Sequence, residues 1–349
     1  MDNQEPKKLR RVRYSGTHPK AFKEKYKELQ PELYAGDVDK VMQQGRTPAG
    51  MHRSICVREI LEILKIKPGQ TGLDATLGYG GHSIEMLKCL LPNGKLFALD
   101  VDPIELPKTK ERLLNLGYGE DVLEIKKMNF SNLDQVIYES GKLDFILADL
   151  GISSMQIDNP DRGFSFKIDG PLDLRLNPKS GKSAAALLKT ITPQHLEELL
   201  ITNADEPNAK EIANAIFVKL KSGFVIETTA QLQQIIKEAV IGISKNNSDD
   251  AVKKSCQRCF QALRIAVNDE FGVLDKFLEK LPNALKKGGR VAILSFHSGE
   301  DRRVKKSFQN FLREGLYNDI APDIIRPSVE ECTTNPRAKS AKLRWAIKA

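Results

Sequence analysis

The stretch DATLGYGGHS, residues 74–83, decides how the chain folds. It overlaps a short apolar run, GLDATL (72–77), and leads into HSIEMLKCLL (82–91), which has helical spacing. Glycines between a strand and a helix let the backbone adopt positive φ and approach a ligand closely. The first amides of the helix are then free to bind that ligand. The stretch therefore predicts a strand–turn–helix unit with a ligand at the turn.

The turn departs from the dinucleotide fingerprint G-x-G-x-x-G. That motif, begun at Gly78, needs a third glycine at position 83, where this chain has Ser83. The next strand, GKLFALDVD (94–102), carries Asp100 near its end, and a carboxylate there suits ribose hydroxyls. A nucleoside without a pyrophosphate fits both observations, and S-adenosylmethionine is such a ligand. A nicotinamide cofactor is disfavoured.

Strand and helix patterns alternate between residues 57 and 151, which indicates an α/β fold with a parallel sheet. The segment 158–256 reads as helices only, and strand patterns return afterwards. We expect one long helix over 260–285, a buried strand over 289–298 and a terminal strand over 342–349. Three regions are predicted: a basic, flexible arm (1–50), a discontinuous α/β domain (51–157 and 257–349) and an inserted helical domain that recognises the substrate (158–256).

The net charge of +8 lies at the two ends of the chain. Residues 1–30 and 332–349 each carry a net charge of +5, so the region between them is close to neutral. Basic arms of this kind often bind nucleic acid, although a solvated tail gives the same pattern.

No apolar run is long enough to cross a membrane, and the N-terminus lacks the apolar core of a signal peptide. We therefore expect a cytoplasmic protein without a membrane partner. The pair Cys256 and Cys259 has no second pair and no nearby histidine, so we expect no metal. The sequence allows a homodimer but does not fix the oligomeric state.

A set of sequence blocks, in order from about His52 to the C-terminus, resembles the bacterial 16S rRNA (cytosine(1402)-N4)-methyltransferases, the MraW methyltransferases. The blocks are DATLGYGGHS, LDVDP, NFSNL, ADLGISSMQID, RGFSF, GPLDLRLNP, CFQALRIAVNDE, GGRVAILSFHS, EDRRVK and NPRAKSAKLR. The first fifty residues extend beyond the usual start of that family.

The resemblance implies a class I methyltransferase fold, a Rossmann-like and mostly parallel sheet with an inserted all-helical domain. It implies S-adenosylmethionine as methyl donor and a cytosine in the decoding region of 16S rRNA as target, with the small ribosomal subunit as partner. The residues that the matching motifs place at the donor are Gly78, Gly80, Gly81, His82, Asp100, Phe130, Asp149 and Gln156.

Asp149 is the candidate catalytic residue, because it ends the apolar strand LDFILADLG (143–151) and can accept a hydrogen bond from an amine. Phe164 and Phe166 are candidates to stack on the target base, with core packing as the alternative. His297 has either a substrate-side or a structural role. The candidate substrate set is completed by Asp173 and by bases for phosphate contact, each of which could equally be a solvated side chain: Arg162, Arg175, Lys339, Lys342 and Arg344.

Two further classes of function stay open. One is a methyltransferase that acts on another amine, in DNA or in a small molecule. The other is a non-catalytic RNA-binding relative, which would have no need of the glycine turn, Asp100 and Asp149.

Overall fold

The computed structural model describes residues 54–243 and 248–349. The predicted basic arm, residues 1–50, lies outside them. The described residues form one sheet with the strand order β3-β2-β1-β4-β5-β7-β6. Its strands are β1 (Thr71–Asp74), β2 (Lys95–Asp100), β3 (Leu123–Lys127), β4 (Leu143–Asp149), β5 (Leu285–Ser295), β6 (Tyr317–Ile320) and β7 (Lys342–Lys348).

The first five strands pair in parallel, whereas β7 is antiparallel to both β5 and β6. The chain moves from β1 outward to β3 and then crosses back to β4 on the other side of β1. Such a reversal opens a crevice at the carboxyl ends of the central strands, where open α/β sheets bind ligands. The prediction of a Rossmann-like, mostly parallel sheet is confirmed.

Side chains alternate between the two faces of the sheet, as the pleat of a strand requires. In β4, Ile146 packs into one apolar cluster, and its neighbours Phe145 and Leu147 pack into the cluster on the opposite face. Helices cover both clusters, so the sheet is the middle layer of three. The helices on one face are α1 (Val57–Leu64), α2 (Gly81–Leu90) and α3 (Glu105–Asn115), and those on the other are α4 (Leu133–Ser140), α11 (Glu270–Ala284) and α12 (Ser298–Arg313).

The segment after β4 is helical and has an apolar cluster of its own, with members from Phe164 to Leu263. Its helices are α5 (Ser154–Asp158), α6 (Ala184–Leu188), α7 (Pro193–Ala204), α8 (Ala209–Lys221), α9 (Thr229–Ile243) and α10 (Asp249–Asn268); a short α13 (Val329–Thr334) follows later in the chain. The predicted domain boundaries stay predictions, and α10 runs without a break through residues 256 and 257.

Threonine hydroxyls cap two of the helix starts in this segment. The hydroxyl of Thr192 accepts a hydrogen bond from the His195 amide at 3.3 Å, with Pro193 in the first helical position. Thr228 likewise accepts from the Gln231 amide at 3.3 Å. These caps satisfy amides that the helix itself leaves unpaired.

The prediction of a single long helix over 260–285, made from the apolar periodicity, is wrong. Asp269 adopts the left-handed conformation, with φ of 49°, and separates α10 from α11. Aspartate tolerates this conformation better than most residues. The break lets α10 pack within the helical segment while α11 packs on the sheet. Leu285 ends the pattern as the first residue of β5.

Within the described residues, no helix is both long and apolar enough to cross a membrane.

Candidate active site

Three aspartates lie at the carboxyl ends of neighbouring parallel strands. Asp74 ends β1, Asp100 ends β2 and Asp149 ends β4. Because β1 lies between the other two strands, all three residues border the crevice where the strand order reverses.

The glycine turn between β1 and α2 is held from two sides. The Gly78 amide donates to Asp100 Oδ2 at 2.8 Å, and the Thr109 hydroxyl of α3 donates to the Gly78 carbonyl oxygen at 2.8 Å. Gly78 and Gly80 have φ of +51° and +79°, the left-handed region that favours glycine. The turn leads directly into the N-terminus of α2, which begins at Gly81.

Ser83 has a structural reason to replace the third glycine of a dinucleotide motif. Its hydroxyl is buried and donates to Asp74 Oδ2 at 2.6 Å, while the Thr76 amide donates to Asp74 Oδ1 at 3.1 Å. Burial raises the pKa of Asp74, and the bond from Ser83 opposes that shift. Ser83 therefore satisfies a buried carboxylate under the turn, a pair that sequence reasoning missed although both residues lie in one motif.

Asp149 combines a fixed backbone with an unsatisfied side chain. Its amide donates to the Thr76 hydroxyl at 2.7 Å, and its Oδ2 lies 3.4 Å from His82 Nδ1. Its Oδ1 is buried and has no hydrogen-bond partner among the described residues. Burial raises the pKa of Asp149 to about 6, and His82 opposes this shift. A buried acceptor without a donor needs a specific explanation, and a hydrogen bond from a ligand or substrate is one.

Asp100 shapes the crevice from the side of β2. Its Oδ2 accepts from the Gly78 amide, and its Oδ1 accepts from the Asp102 amide at 2.9 Å. Burial raises its pKa to about 6. Each carboxylate oxygen keeps a second lone pair, so Asp100 can still accept a hydrogen bond from a hydroxyl.

A buried charge network joins the end of β2 to the segment after β4. Asp102 Oδ2 accepts from Gln156 Nε2 at 2.7 Å and from Arg162 Nη1 at 2.8 Å. Gln156 also accepts the Ser153 amide at 2.8 Å. The predicted contact between Gln156 and the methyl donor is untested. Both the oxygen and the nitrogen of the Gln156 side-chain amide already make hydrogen bonds within the protein.

The predicted phosphate contact of Arg162 stays a prediction, and the surroundings of this side chain do not favour it. The side chain of Arg162 is only 4% exposed, and it also donates to the carbonyl oxygens of Arg175 and Leu176. The guanidinium of Arg162 is therefore occupied by protein partners in this structure. Arg344 also has a partner within the protein. Its side chain is buried, and its Nε donates to Asp301 Oδ1 at 2.6 Å.

The aromatic candidates differ in their surroundings. Phe164 is buried in the cluster of the helical segment, which favours the core-packing alternative, and base stacking by this ring stays a prediction. Phe166 is partly buried, with its ring edge-on to Phe260 at 5.6 Å. Phe130 follows β3 and lies edge-on to Phe277 at 5.0 Å. Phe130 and Phe166 retain their predicted roles as proposals.

The remaining substrate candidates are partly exposed. Asp173 and Arg175 form an ion pair at 2.7 Å. Lys339 is exposed, and burial lowers the pKa of Lys342. His297 follows β5, with its Nε2 at 3.1 Å from Glu300 Oε1. This is an ion-pair distance, and neither ring nitrogen has a hydrogen-bond partner among the described residues, so both alternatives for His297 stay predictions.

Two three-residue clusters in the described part of the chain are compact enough to be considered for a metal: Cys56, Glu59 and Glu331, and Glu270, His297 and Glu300. Cys256 and Cys259 belong to neither. Both lie inside α10 with buried thiols, and burial raises the pKa of Cys256 to about 11.

The crevice thus offers a helix N-terminus, three carboxylates with raised pKa values and one buried oxygen, Asp149 Oδ1, that has no partner among the described residues. Together these groups fit a ligand that carries ribose hydroxyls at one end and a charged amino-acid group at the other.

Comparison with known proteins agrees with this chemistry. The model of the MraW methylase family matches residues 49–349. A "Ribosomal RNA small subunit methyltransferase H 2" from Alkaliphilus metalliredigens is 70% identical and covers 100% of both chains. A "Ribosomal RNA small subunit methyltransferase H 1" from Lachnoclostridium phytofermentans is 64% identical over 100% of this chain and 95% of its own.

More distant relatives match less of the chain. A "Ribosomal RNA small subunit methyltransferase H" from Thioalkalivibrio sulfidiphilus is 39% identical over 86% of this chain and 98% of its own. Among solved structures, a putative methyltransferase from Streptococcus mutans in complex with SAH is 12% identical. It covers 84% of this chain and 97% of its own with a TM-score of 0.38, which makes it a remote structural neighbour.

Proposed function

Because the chain belongs to the MraW methylase family, we propose that it methylates the N4 amine of a cytosine, cytosine 1402, in the decoding region of 16S rRNA. The observation that carries the proposal is the unpartnered Oδ1 of Asp149, buried beside the glycine turn. The high identity to proteins named small-subunit rRNA methyltransferases supports the choice of RNA.

The chain is a methyltransferase, and S-adenosylmethionine is its methyl donor. When bound, the donor supplies an activated methyl group. Gly80 and Gly81 allow close backbone approach, and the first amides of α2 suit the carboxylate of the amino-acid part. Asp100 would accept hydrogen bonds from the ribose, with Phe130 beside the adenine. The residues present therefore fit the donor.

Asp149 can increase the low nucleophilicity of the substrate amine. The N4 amine of cytosine is a poor nucleophile, because its lone pair is delocalised into the ring. An acceptor that takes a hydrogen bond from the amine returns electron density to nitrogen. Asp149 Oδ1 has lone pairs without a protein donor, so it is suited to this role.

The target base must leave its stack to reach the crevice, since base pairing occupies the amine. The helical segment, residues 158–256, would form the opposite wall of the cleft. Lys339 and Lys342 stay candidates for phosphate contact, and RNA affinity should then fall as salt concentration rises.

The test is transfer of label from radiolabelled S-adenosylmethionine to naked 16S rRNA and to unmodified small subunits, with nucleoside analysis of the product. Asp149→Asn is the loss-of-function variant, and Asp121→Asn, at an exposed position, is the matched control. N4-methylcytidine made by the wild type and the control, but not by Asp149→Asn, would support the proposal.

Donor binding without label in either RNA would overturn the substrate assignment. Label in DNA or in a small amine would favour the alternative methyltransferase function. Binding of RNA without binding of the donor would favour a non-catalytic relative.

A further inference from the structure

The imidazole of His82 lies between a backbone carbonyl and the candidate catalytic carboxylate. Its Nε2 is 3.0 Å from the Ile55 carbonyl oxygen, and its Nδ1 is 3.4 Å from Asp149 Oδ2. The side chain is 8% exposed, so water has little access to either contact. The ring is held by groups that are both hydrogen-bond acceptors.

This arrangement fixes where protons must lie. A carbonyl oxygen only accepts, so Nε2 must carry the hydrogen that joins His82 to Ile55. In a neutral ring Nδ1 would then present a lone pair to a carboxylate oxygen, which is repulsive. A proton therefore belongs between Nδ1 and Asp149, either on the ring as an imidazolium or on the carboxyl group.

The charges around Asp149 make the position of this proton important. Burial disfavours the ionised carboxylate, and the negative groups Asp74 and Glu300 add to that effect. Cys56 also lies within the electrostatic reach of Asp149. Among the ionisable groups of the described residues that act on Asp149, His82 is the one that favours its ionised form.

We propose that His82 is a positioning residue that holds the shared proton as an imidazolium and thereby keeps Asp149 ionised for the methyl-transfer step. The inference rests on the proposed function, in which Asp149 accepts a hydrogen bond from the target amine. A neutral carboxyl group would be a weaker acceptor, so the rate depends on His82 even though His82 need not touch the substrate.

The first test is the pH dependence of single-turnover methyl transfer to 16S rRNA, measured over about two pH units on either side of neutral. In His82→Gln the acid limb should move upward by about one pH unit, equal to about 1.4 kcal/mol, so the loss of rate relative to the wild type should be larger at low pH than at high pH. His195→Gln, at an exposed position on α7, should keep the wild-type profile. Equal loss at every pH would show a merely structural role and overturn the proposal.

The second test needs neither donor nor RNA. The free energy of unfolding is measured against pH for the wild type, His82→Gln, Asp149→Asn and the double variant. Asp149→Asn removes the titrating carboxyl group. The difference in unfolding free energy between the chains with and without Asp149 therefore reports the ionisation of Asp149, once with His82 present and once with His82 replaced. That ionisation should begin at higher pH when His82 is absent.

The two tests separate the possible failures. Absence of N4-methylcytidine with the wild type would count against the proposed function alone, and the unfolding cycle would still measure the coupling. Normal methylation together with an unfolding cycle that shows no coupling would overturn the role of His82 alone.

Discussion

Arg162 donates from Nη1 to Asp102 Oδ2 at 2.8 Å, and the two side chains are 4% and 1% exposed. Asp102 follows β2, whereas Arg162 lies in the helical segment and also donates to the carbonyl oxygens of Arg175 and Leu176. Asn268 of α10 reaches the same loop, since its Oδ1 accepts the Leu176 amide at 2.7 Å. The donor side of the crevice is thus tied to the helical segment by buried polar contacts.

Removal of Arg162 should destabilise the protein strongly. Arg162→Met leaves Asp102 as a buried carboxylate with one charged partner fewer, and breaking a buried pair costs about 3–5 kcal/mol. Urea unfolding measures the loss. Arg175→Met is the matched control, because its ion pair with Asp173 is more exposed and should contribute at most about 1 kcal/mol. Equal losses in the two variants would contradict the structural role of Arg162.

Ser83→Ala should cost about 1–3 kcal/mol of unfolding free energy, because Asp74 Oδ2 loses its donor while it stays buried. Ser180→Ala, at an exposed position, provides the control and should change stability by less than about 0.5 kcal/mol. The measurement is denaturant unfolding at pH 7. A Ser83→Ala protein as stable as its control would show that water replaces the hydroxyl.

The sequence predicts those parts of the candidate site that lie in short motifs at strand ends. The glycine turn, Asp100 and Asp149 all follow from the rule that parallel strands present their carboxyl ends at one edge. The partner of Asp102 was not predictable in this way, because Arg162 is 60 residues away and reads as a surface base. Burial decides its role, and periodicity does not report the burial of an arginine.

The wrong prediction of one helix over 260–285 also arose because the sequence does not show what each side chain packs against. The apolar spacing continues across Asp269, but the residues on either side pack against different clusters. Periodicity shows that a face is buried without showing which surface buries it. The break at Asp269 therefore appears only when both clusters are known.

Gly80→Ala should weaken donor binding about tenfold, equal to about 1.4 kcal/mol. Alanine is strained at φ of +79°, and its Cβ would lie 3.1 Å from Leu113 Cδ1, so the turn must shift. Gly181→Ala has a similar φ of +73° with no atom within 4 Å of the added Cβ. Calorimetric titration with S-adenosylmethionine should therefore show normal affinity for Gly181→Ala. Comparable loss in both variants would point to general destabilisation.

Asp149→Asn should stabilise the protein in a pH-dependent way while it removes activity. The pKa of Asp149 is raised from 3.8 to about 6 in the folded chain, so the folded state binds this proton more tightly than the unfolded state does. The stability that Asp149 contributes is complete below pH 3.8 and is lost as the pH rises through about 6. The difference corresponds to at most about 3 kcal/mol.

Unfolding of the two proteins at about pH 4.5 and about pH 8, below and above the folded-state pKa of Asp149, checks the sign. The asparagine chain should be the more stable one at the higher pH, by about 1–3 kcal/mol, and the gain should shrink at the lower pH. A gain of equal size at both values would mean that asparagine packs better and that ionisation of Asp149 costs nothing. A loss that grows with pH would show that the ionised carboxylate is stabilised in the fold, in which case His82 more than offsets the cost of burial.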